Sequence, residues 1–451
     1  MAGNLSVAEL RNAVAADEID TVIVGITDGQ GRLVGKRVSA RMFLEDVLGH
    51  GAEACNYLLA VDVDMNTVDG YAISSWETGY GDMVLMPDVD TLRRVPWQEG
   101  TALVIADVLT QDRTPVPPSP RAMLNRQRER LADRGLVAYV GTELEFIVFD
   151  NSYRDAWRRQ YHDLTPATDY NIDYNLTAST RMELLLRAIR RGMDGAGMYN
   201  EGVKGECNLG QQEISFRYAE ALETADQHSI YKSGAKEIAE QFGQSLTFMA
   251  KFNEREGNSC HIHLSVRSAK GKPVMAGKRE HGFSEFMEHW IAGILSTLRE
   301  FTLLYAPNIN SYKRFAKGTF APTGVAWGID NRTCALRVVG HGESLRVENR
   351  VPGGDVNPYL ATAAIIAGGL YGVENKLTMP EALRGNAYTA GVDHLPTTLP
   401  EAERLFAESQ VAKDAFGEDV VQHYLNQARL ERETFEAAVT DWERVRGFER
   451  L

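Results

Sequence analysis

Between Thr114 and Pro120 the chain reads TPVPPSP, four prolines in seven residues. Proline fixes φ, lacks an amide hydrogen and disfavours helix at the residue before it, so neither a helix nor a central strand can run through this tract. The 451 residues therefore divide into an N-terminal unit, residues 1–113, and a larger unit, residues 114–451. Ahead of the tract, TVIVGIT (Thr21–Thr27) and LVGKRVS (Leu33–Ser39) flank the turn-prone Asp28-Gly29-Gln30-Gly31 and predict a hairpin. A helical stretch over Arg41–Leu48 and apolar runs at Asn56–Val61, Met83–Met86 and Leu103–Val108 complete a small mixed β unit.

Beyond the tract, Ser119 and Pro120 predict the N-cap and first position of a helix reaching about Asp133, with Gly135 as its stop. Carboxylate-, His- and Arg-bearing strands then alternate with helices expected near Thr180–Met193, Ala221–Leu246, Ser284–Leu304, Pro358–Val373 and Glu418–Val445. Asp and Glu total 62 against 48 Lys and Arg, a net charge of −14 with His neutral. That sign excludes a general affinity for nucleic acid or an anionic membrane, and a chain of this charge that handles phosphate needs cations. The longest small-apolar stretch, Ala361–Gly372, is shorter than the ~20 residues of a membrane span. The first residues are polar, with no secretory h-region. Cys55, Cys207, Cys260 and Cys334 show no CxxC spacing, so reduced thiols in a cytoplasmic enzyme are expected.

Four segments carry chemistry. In GTELEFIVF, Glu143 and Glu145 are two apart on a strand-like run, which puts both on one face; exposed acids on an edge strand would read the same way. In ECNLGQQE, Glu206 and Glu213 flank a glycine loop able to fold them together. In GNSCHIHLSV, His261, His263 and Ser265 share one strand face, suited to a metal or a phosphate, although a lone His there is more often a hydrogen-bonded core residue. In SLRVENRV, Arg346, Glu348 and Arg350 share a face, as a salt-bridge ladder also would. Taken together the plain readings weaken. Two carboxylates ~6 Å apart repel by about 3 kcal/mol at an effective dielectric near 20, so several converging acids call for divalent metal. Oxygen-rich ligation with one imidazole suits Mg²⁺ or Mn²⁺, and arginines beside such metals suit phosphoryl transfer.

The ordered segments ELEF, ECNLGQQE, ALETADQHSIYK, NSCHIH, NSYKRF, DNRTCALRV and RVENRVPGGDVNPYL, with GDMVLMPD at Gly81–Asp88, resemble the glutamine synthetase family from about Asp20 to Tyr388. The resemblance is nearest to its branch of ligases that join glutamate to amines other than ammonia, the γ-glutamylethanolamide synthetases among them. It implies an α+β fold: an N-terminal β-grasp domain, then a catalytic domain on a curved antiparallel sheet with surrounding helices. It further implies a dodecamer of two hexameric rings with active sites between neighbouring subunits.

By motif, the resemblance assigns Glu145, Glu206 and Glu213 to one metal, and Glu143, His261 and Glu348 to a second at the nucleotide phosphates. Glu201, Tyr218, His263, Ser265, Arg337 and Arg346 are assigned to ATP, and Gly257, Arg314 and Arg350 to glutamate. Arg332 is matched to the transferring phosphoryl group and Asp69 to deprotonation of the incoming amine. Expected cofactors are thus ATP as co-substrate and two or more Mg²⁺ or Mn²⁺.

The flap departs from the ammonium-using pattern. It reads KGTFAP, Lys317–Pro322, with Phe320 where those members carry a glutamate, and Ala72 stands where they carry a serine. An aromatic ring removes charge attraction for ammonium and offers an apolar and cation–π face worth ~0.5–2 kcal/mol. Tyr71, Trp76 and Phe320 are therefore the expected amine pocket, with glutamate and a small primary amine, ethanolamine first, as substrates. Ammonium-dependent glutamine synthesis, a polyamine ligase and a non-catalytic glutamate or amine sensor are the alternatives. Glu256 replaces an asparagine usual before Gly257, and the TAGVDH context of Tyr388 lacks the acidic-proline pattern of adenylylated members.

Overall fold

The computed structural model describes residues 3–451. The expected hairpin forms: β1 (Thr21–Thr27) and β2 (Leu33–Ser39) pair antiparallel with Thr27 opposite Leu33. Alternation along β1 buries Val22, Val24 and Ile26. After a helical segment at 40–50 come β3 (Ala52–Cys55), β4 (Asp82–Pro87), the short β5 (Arg93–Arg94) and β6 (Thr101–Leu109). The strand order is β2-β1-β6-β4-β3, with β5 on β6. Because β6 inserts parallel to β1 and antiparallel to β4, the sheet has the β-grasp arrangement. Asn56–Val61 is not a strand. Asn56 starts a 3₁₀ turn, Asn56–Leu59, and its side chain donates to the Ile73 carbonyl at 2.8 Å and accepts from Ser74 Oγ at 2.6 Å, bonds that compete with a strand ladder.

The helix Pro120–Ala132 begins on its proline, and Gly135 follows it at φ +66°. Ser119 occupies the cap position, but its hydroxyl makes no cap bond. The second sheet comprises β7 (Leu136–Phe149), β8 (Asn200–Gly205), β9 (Gln211–Phe216), β10 (Ala219–Glu220), β11 (Ser245–Thr247), β12 (Cys260–Ser268), β13 (Trp327–Ile329), β14 (Leu336–Val339) and β15 (Arg346–Asn349). Its order is β13-β14-β15-β12-β7-β9-β8, with β10 and β11 also on β7. Pairing is antiparallel except at the edge, where β13 and β14 run parallel. There the 330–335 loop, entered through Asp330 at φ +48°, carries the chain back along the sheet instead of closing a hairpin.

Long helices cover this sheet: Glu183–Gly195, Ala221–Gln241, Glu285–Thr297, Pro358–Glu374 and Glu418–Ala437. Three end earlier than expected. The second stops before Gly243, at φ +69°, which frees Ser245–Thr247 to pair with β7. The third breaks after Thr297, where the Ser296 and Thr297 hydroxyls bond back to the Gly293 carbonyl. In the last, Thr440 caps a separate helix, Asp441–Gly447. Helices Glu285–Thr297 and Pro358–Glu374 meet backbone to backbone, since a Cβ on Gly293 would stand 2.2 Å from the Gly368 carbonyl.

One charged node ties the first sheet to the helices over the second. Arg121 donates through Nε and Nη2 to Asp226 at 3.1 Å each, through Nη2 to Asp88 at 2.6 Å, and through Nη1 to Asp107. Tyr359 adds its hydroxyl to Asp226 at 2.6 Å. Among the described residues, no helix is long and apolar enough to cross a membrane.

Candidate functional site

Strand register assembles the site. On β7, Glu143 lies opposite His261 of β12 on one side and Ser215 of β9 on the other, while Glu145 lies opposite Glu213 of β9. On β15, Glu348 lies opposite both His263 and Arg337 of β14. The loop after Glu206 turns at Gly210, φ +68°, and returns the chain to Glu213. Glu145, Glu206 and Glu213 each bring a carboxylate oxygen within 4.8 Å of the others. These are the acids the sequence assigned to one metal.

Burial pushes the Glu145 and Glu213 carboxyls up to about 8, with added repulsion from Glu206 on the first and from Glu143 and Glu145 on the second. Burial raises Glu206 as well, against the pull of Lys204. Acids that resist ionisation until a cation arrives form a donor set suited to a hard divalent metal. Lys204 is the residue that sequence reasoning missed. Its Nζ pairs with Glu206 and lies 4.7 Å from the Tyr174 ring centroid. It stands two residues before Glu206 on the same strand path, so the period-two rule applied to Glu143 and Glu145 could have found it. Gln211 was missed too: its Nε2 bonds to Glu145 Oε2 at 3.1 Å, the Gly257 carbonyl at 3.0 Å and Asn258 at 2.9 Å.

The second cradle has the opposite electrostatics. Glu348 is fully buried, bonded by Arg337 Nη1 at 2.8 Å and Arg350 Nη1 at 2.6 Å. Burial alone would raise its carboxyl, yet His261 and Arg350 outweigh it and hold it low. Burial likewise opposes ionisation of Glu143, and hydrogen bonds from His261 and His263 overcome it. His261 Nδ1 lies 3.3 Å from Glu143 Oε2 and 3.5 Å from Glu348 Oε1. Burial and the nearby Arg350 lower this imidazole to about 4, so at neutral pH it is the uncharged form that ligates metal.

Glu143, His263 and Glu348 also lie within 4.8 Å of one another, but His263 is otherwise engaged. Its Nδ1 faces Arg346 Nε at 3.2 Å and its Nε2 faces Glu143 Oε1 at 2.9 Å. The guanidinium can only donate, so Nδ1 accepts and Nε2–H donates to Glu143. His261 therefore fits the metal role and His263 the neighbouring one.

A cavity of about 490 Å³ adjoins this cradle, lined in part by Glu143, Glu201, Tyr218, His263, Ser265 and Arg346. All but Glu143 of these were assigned to ATP. Arg337 alone of that group stays outside, paired with Glu348 and Asp330. Arg332 lines a separate hollow with Asp330 and Arg384.

Three of the assigned residues make contacts within the chain. Arg314 is buried and committed to the Val351 carbonyl at 2.8 Å, the Arg350 carbonyl at 3.1 Å and Ser259 Oγ at 2.8 Å. Its guanidinium lies on the floor beside Gly257, where an added Cβ would meet the Ala250 carbonyl at 2.2 Å. Arg350, expected at glutamate, reaches from Glu348 to the Phe320 carbonyl at 3.3 Å and so ties the flap to the cradle. Tyr71 is 5% exposed, its ring packed 4.6 Å from that of His423. Trp76, 72% exposed, and Phe320, 56% exposed, present open rings. Asp69 is anchored through its carbonyl, which accepts from Asn426 Nδ2 at 3.0 Å.

A β-grasp unit beside a sheet that holds two acidic cradles and a ligand-sized cavity defines a glutamine synthetase-type catalytic fold. The model of the glutamine synthetase catalytic domain matches residues 117–446, and the chain belongs to that family. It is 62% identical, over 99% of this chain and 96% of the relative, to a γ-glutamylethanolamide synthetase, GlnA4, of Streptomyces coelicolor. It is 36% identical, over 98% and 97%, to a glutamate–isopropylamine ligase of a Pseudomonas species. Among solved structures, a GmaS–ADP complex superposes with a TM-score of 0.86 at 28% identity, over 98% of this chain and 99% of that one.

Proposed function

We propose that this chain is an ATP-dependent ligase that joins the γ-carboxylate of glutamate to a small primary amine, with ethanolamine preferred. The observation that carries the reading is the convergence of Glu145, Glu206 and Glu213 beside Glu143, His261 and Glu348, next to a cavity of nucleotide size. The amine is supported by Phe320 on the flap and by the relatives that act on ethanolamine and isopropylamine.

Glu145, Glu206 and Glu213 would hold one divalent cation, and Glu143, His261 and Glu348 another, Mg²⁺ or Mn²⁺. Bound there, such ions neutralise phosphate charge and polarise the transferring group. His263, Ser265, Tyr218, Glu201 and Arg346 line the nucleotide cavity and orient ATP. The glutamate γ-carboxylate attacks the γ-phosphorus, giving γ-glutamyl phosphate and ADP; the amine nitrogen then displaces phosphate. Arg332, on the loop between β13 and β14, is the proposed counter-charge to the transferring phosphoryl group. The attacking amine must first lose a proton, and Asp69 of a neighbouring subunit is the proposed acceptor. Exposed Trp442, Val445, Phe448 and Leu451 at the C-terminus give an apolar edge that supports assembly into the proposed dodecamer.

The test is phosphate release from ATP with glutamate and Mg²⁺ across ammonium, ethanolamine, short monoamines, putrescine and spermidine, with mass spectrometry of the product. Ethanolamine yielding the γ-glutamyl amide, with little turnover of ammonium, is the expected outcome. Dominant ammonium turnover would make this a glutamine-forming enzyme, and no turnover with any amine would favour a sensor.

A further inference from the structure

A second cavity of about 490 Å³ shares no lining residue with the nucleotide cavity. It opens where the turn of the N-terminal hairpin meets the helix Ala221–Gln241, the loop at 307–310 and the helix Glu418–Ala437. Its lining carries charges of both signs: Arg32, Lys232 and Lys236 are the cations, Asp355 and Glu431 the acids, with Arg32 paired to Asp28 at 2.8 Å and Lys232 Nζ donating to the Gly354 carbonyl at 2.9 Å. Each set is crowded. Burial and then its neighbour Lys236 lower the Lys232 ammonium to about 8, and burial and then Arg32 lower Lys236. Burial, reinforced by Asp355, raises the Glu431 carboxyl against its bond from the Ile309 amide.

Two polar atoms in this wall are buried without a partner: Ser229 Oγ, on a residue 1% exposed, and Asp355 Oδ1. Such atoms are rare in folded proteins and usually mark a missing partner. Ser229, Lys232, Ser233 and Lys236 follow helical i, i+3, i+4, i+7 spacing, so the orphan hydroxyl belongs to the cationic face. The orphan carboxylate oxygen belongs to the acidic pole. Leu33, Phe248, Met249 and Pro307 supply an apolar part of the same wall.

We propose that this cavity binds a free α-amino acid with an apolar side chain. Its carboxylate meets Lys232, Lys236 and Ser229, its ammonium meets Asp355 and Glu431, and its side chain lies against Phe248 and Met249. A zwitterion completes both poles at once, whereas an anion or a simple amine completes one and crowds the other. The volume falls within the ~300–1,000 Å³ usual for small-ligand pockets. Because the N-terminal hairpin and the catalytic unit both contribute walls, the occupant ties them together and stabilises the chain by mass action.

The experiment uses the full-length protein without ATP or glutamate, with calorimetric titration and thermal unfolding in L-leucine, leucinamide and 4-methylpentanoate. Leucine should bind and raise Tm, and each half-ligand should bind at least about tenfold more weakly, the loss of one charge-assisted contact. Lys236→Gln should weaken leucine but not leucinamide, and Glu431→Gln should weaken leucine but not 4-methylpentanoate. Both variants should keep the parental Tm without ligand. Three results overturn the proposal: no binding of leucine, methionine or phenylalanine at millimolar concentration; 4-methylpentanoate or inorganic phosphate binding as well as leucine; or leucine binding unaffected in both variants, which would place it at the glutamate site.

Discussion

Phe320 lies at φ +57° with its ring 56% exposed, and this lets its structural and functional contributions be separated. The left-handed region costs a non-glycine residue about 1–2 kcal/mol, a cost that Phe320→Gly removes. Against this, glycine frees the unfolded chain by about 0.4–1 kcal/mol, and the half-exposed ring forfeits roughly half of the ~2 kcal/mol of full burial. The terms offset to within about 1 kcal/mol, so Tm should scarcely move. Catalysis should respond differently. Loss of a cation–π face worth ~0.5–2 kcal/mol predicts a roughly 2- to 30-fold fall in kcat/KM for ethanolamine. In Phe320→Glu, a carboxylate ~4 Å from an ammonium ion at an effective dielectric near 20 attracts it by about 4 kcal/mol before desolvation. Protonated ethanolamine is attracted alike, so the swing in selectivity toward ammonium is the lost ring contact with the carbon chain, roughly 2- to 30-fold. The assay is coupled phosphate release at varied amine, with unfolding curves of each variant. A large Tm loss in Phe320→Gly with unchanged ethanolamine kcat/KM would refute the reasoning and make the ring a packing element.

Arg121→Met should destabilise the chain by about 3–5 kcal/mol, because Asp226, 1% exposed, loses its charge partner; Asp107→Asn, at a side chain 40% exposed, should cost under about 1 kcal/mol, and denaturant titrations check both. Burial lowers His228 and His423 to about 3 from 6.5. The unfolded chain thus binds protons that the folded chain does not, so stability present above about pH 6.5 is lost as pH falls toward 3, by about 1.4 kcal/mol per pH unit for each histidine. His423→Phe should remove one such increment from the slope of unfolding free energy against pH, and an unchanged slope would contradict it. Glu145→Gln should hold or raise the metal-free Tm, since it relieves crowding with Glu206 and Glu213, while abolishing the Tm rise on adding Mg²⁺ and most ligase activity.

How much was legible beforehand depended on range. Glu143 and Glu145 could be placed on one face because a strand repeats every two residues, and Glu206 could be folded back on Glu213 because a glycine separates them. The register that sets His261 against Glu143 and His263 against Glu348 joins residues more than eighty positions apart, and no local pattern encodes it. The same limit hid the commitment of Arg314 to the Val351 and Arg350 carbonyls and the burial of Tyr71 against His423. In both cases the motif announces an arginine or an aromatic, while its orientation is decided by a distant element. The parallel β13–β14 edge was unread for a related reason: a six-residue connection between two short strands reads as a hairpin until Asp330 turns it.

The two cradles are chemically unequal although each is built from acids. Glu145, Glu206 and Glu213 have Lys204, paired with Glu206, and Arg314, near Glu145, as their cations, and burial and mutual repulsion still raise all three carboxyls. Glu143 and Glu348 already sit among His261, His263, Arg337 and Arg350. A divalent ion entering the first cradle releases protons and relieves repulsion among the acids, so it should bind without any nucleotide. One entering the second meets two guanidiniums held by Glu348, and it gains enough attraction only when triphosphate adds negative charge from the cavity side. Titration with Mn²⁺ should therefore show one class of site in the free protein and a second class on adding a non-hydrolysable ATP analogue. Two equal sites in the absence of nucleotide would mean that Arg337 and Arg350 swing away from Glu348 at little cost, and that the flap tied to Arg350 through the Phe320 carbonyl is released with them.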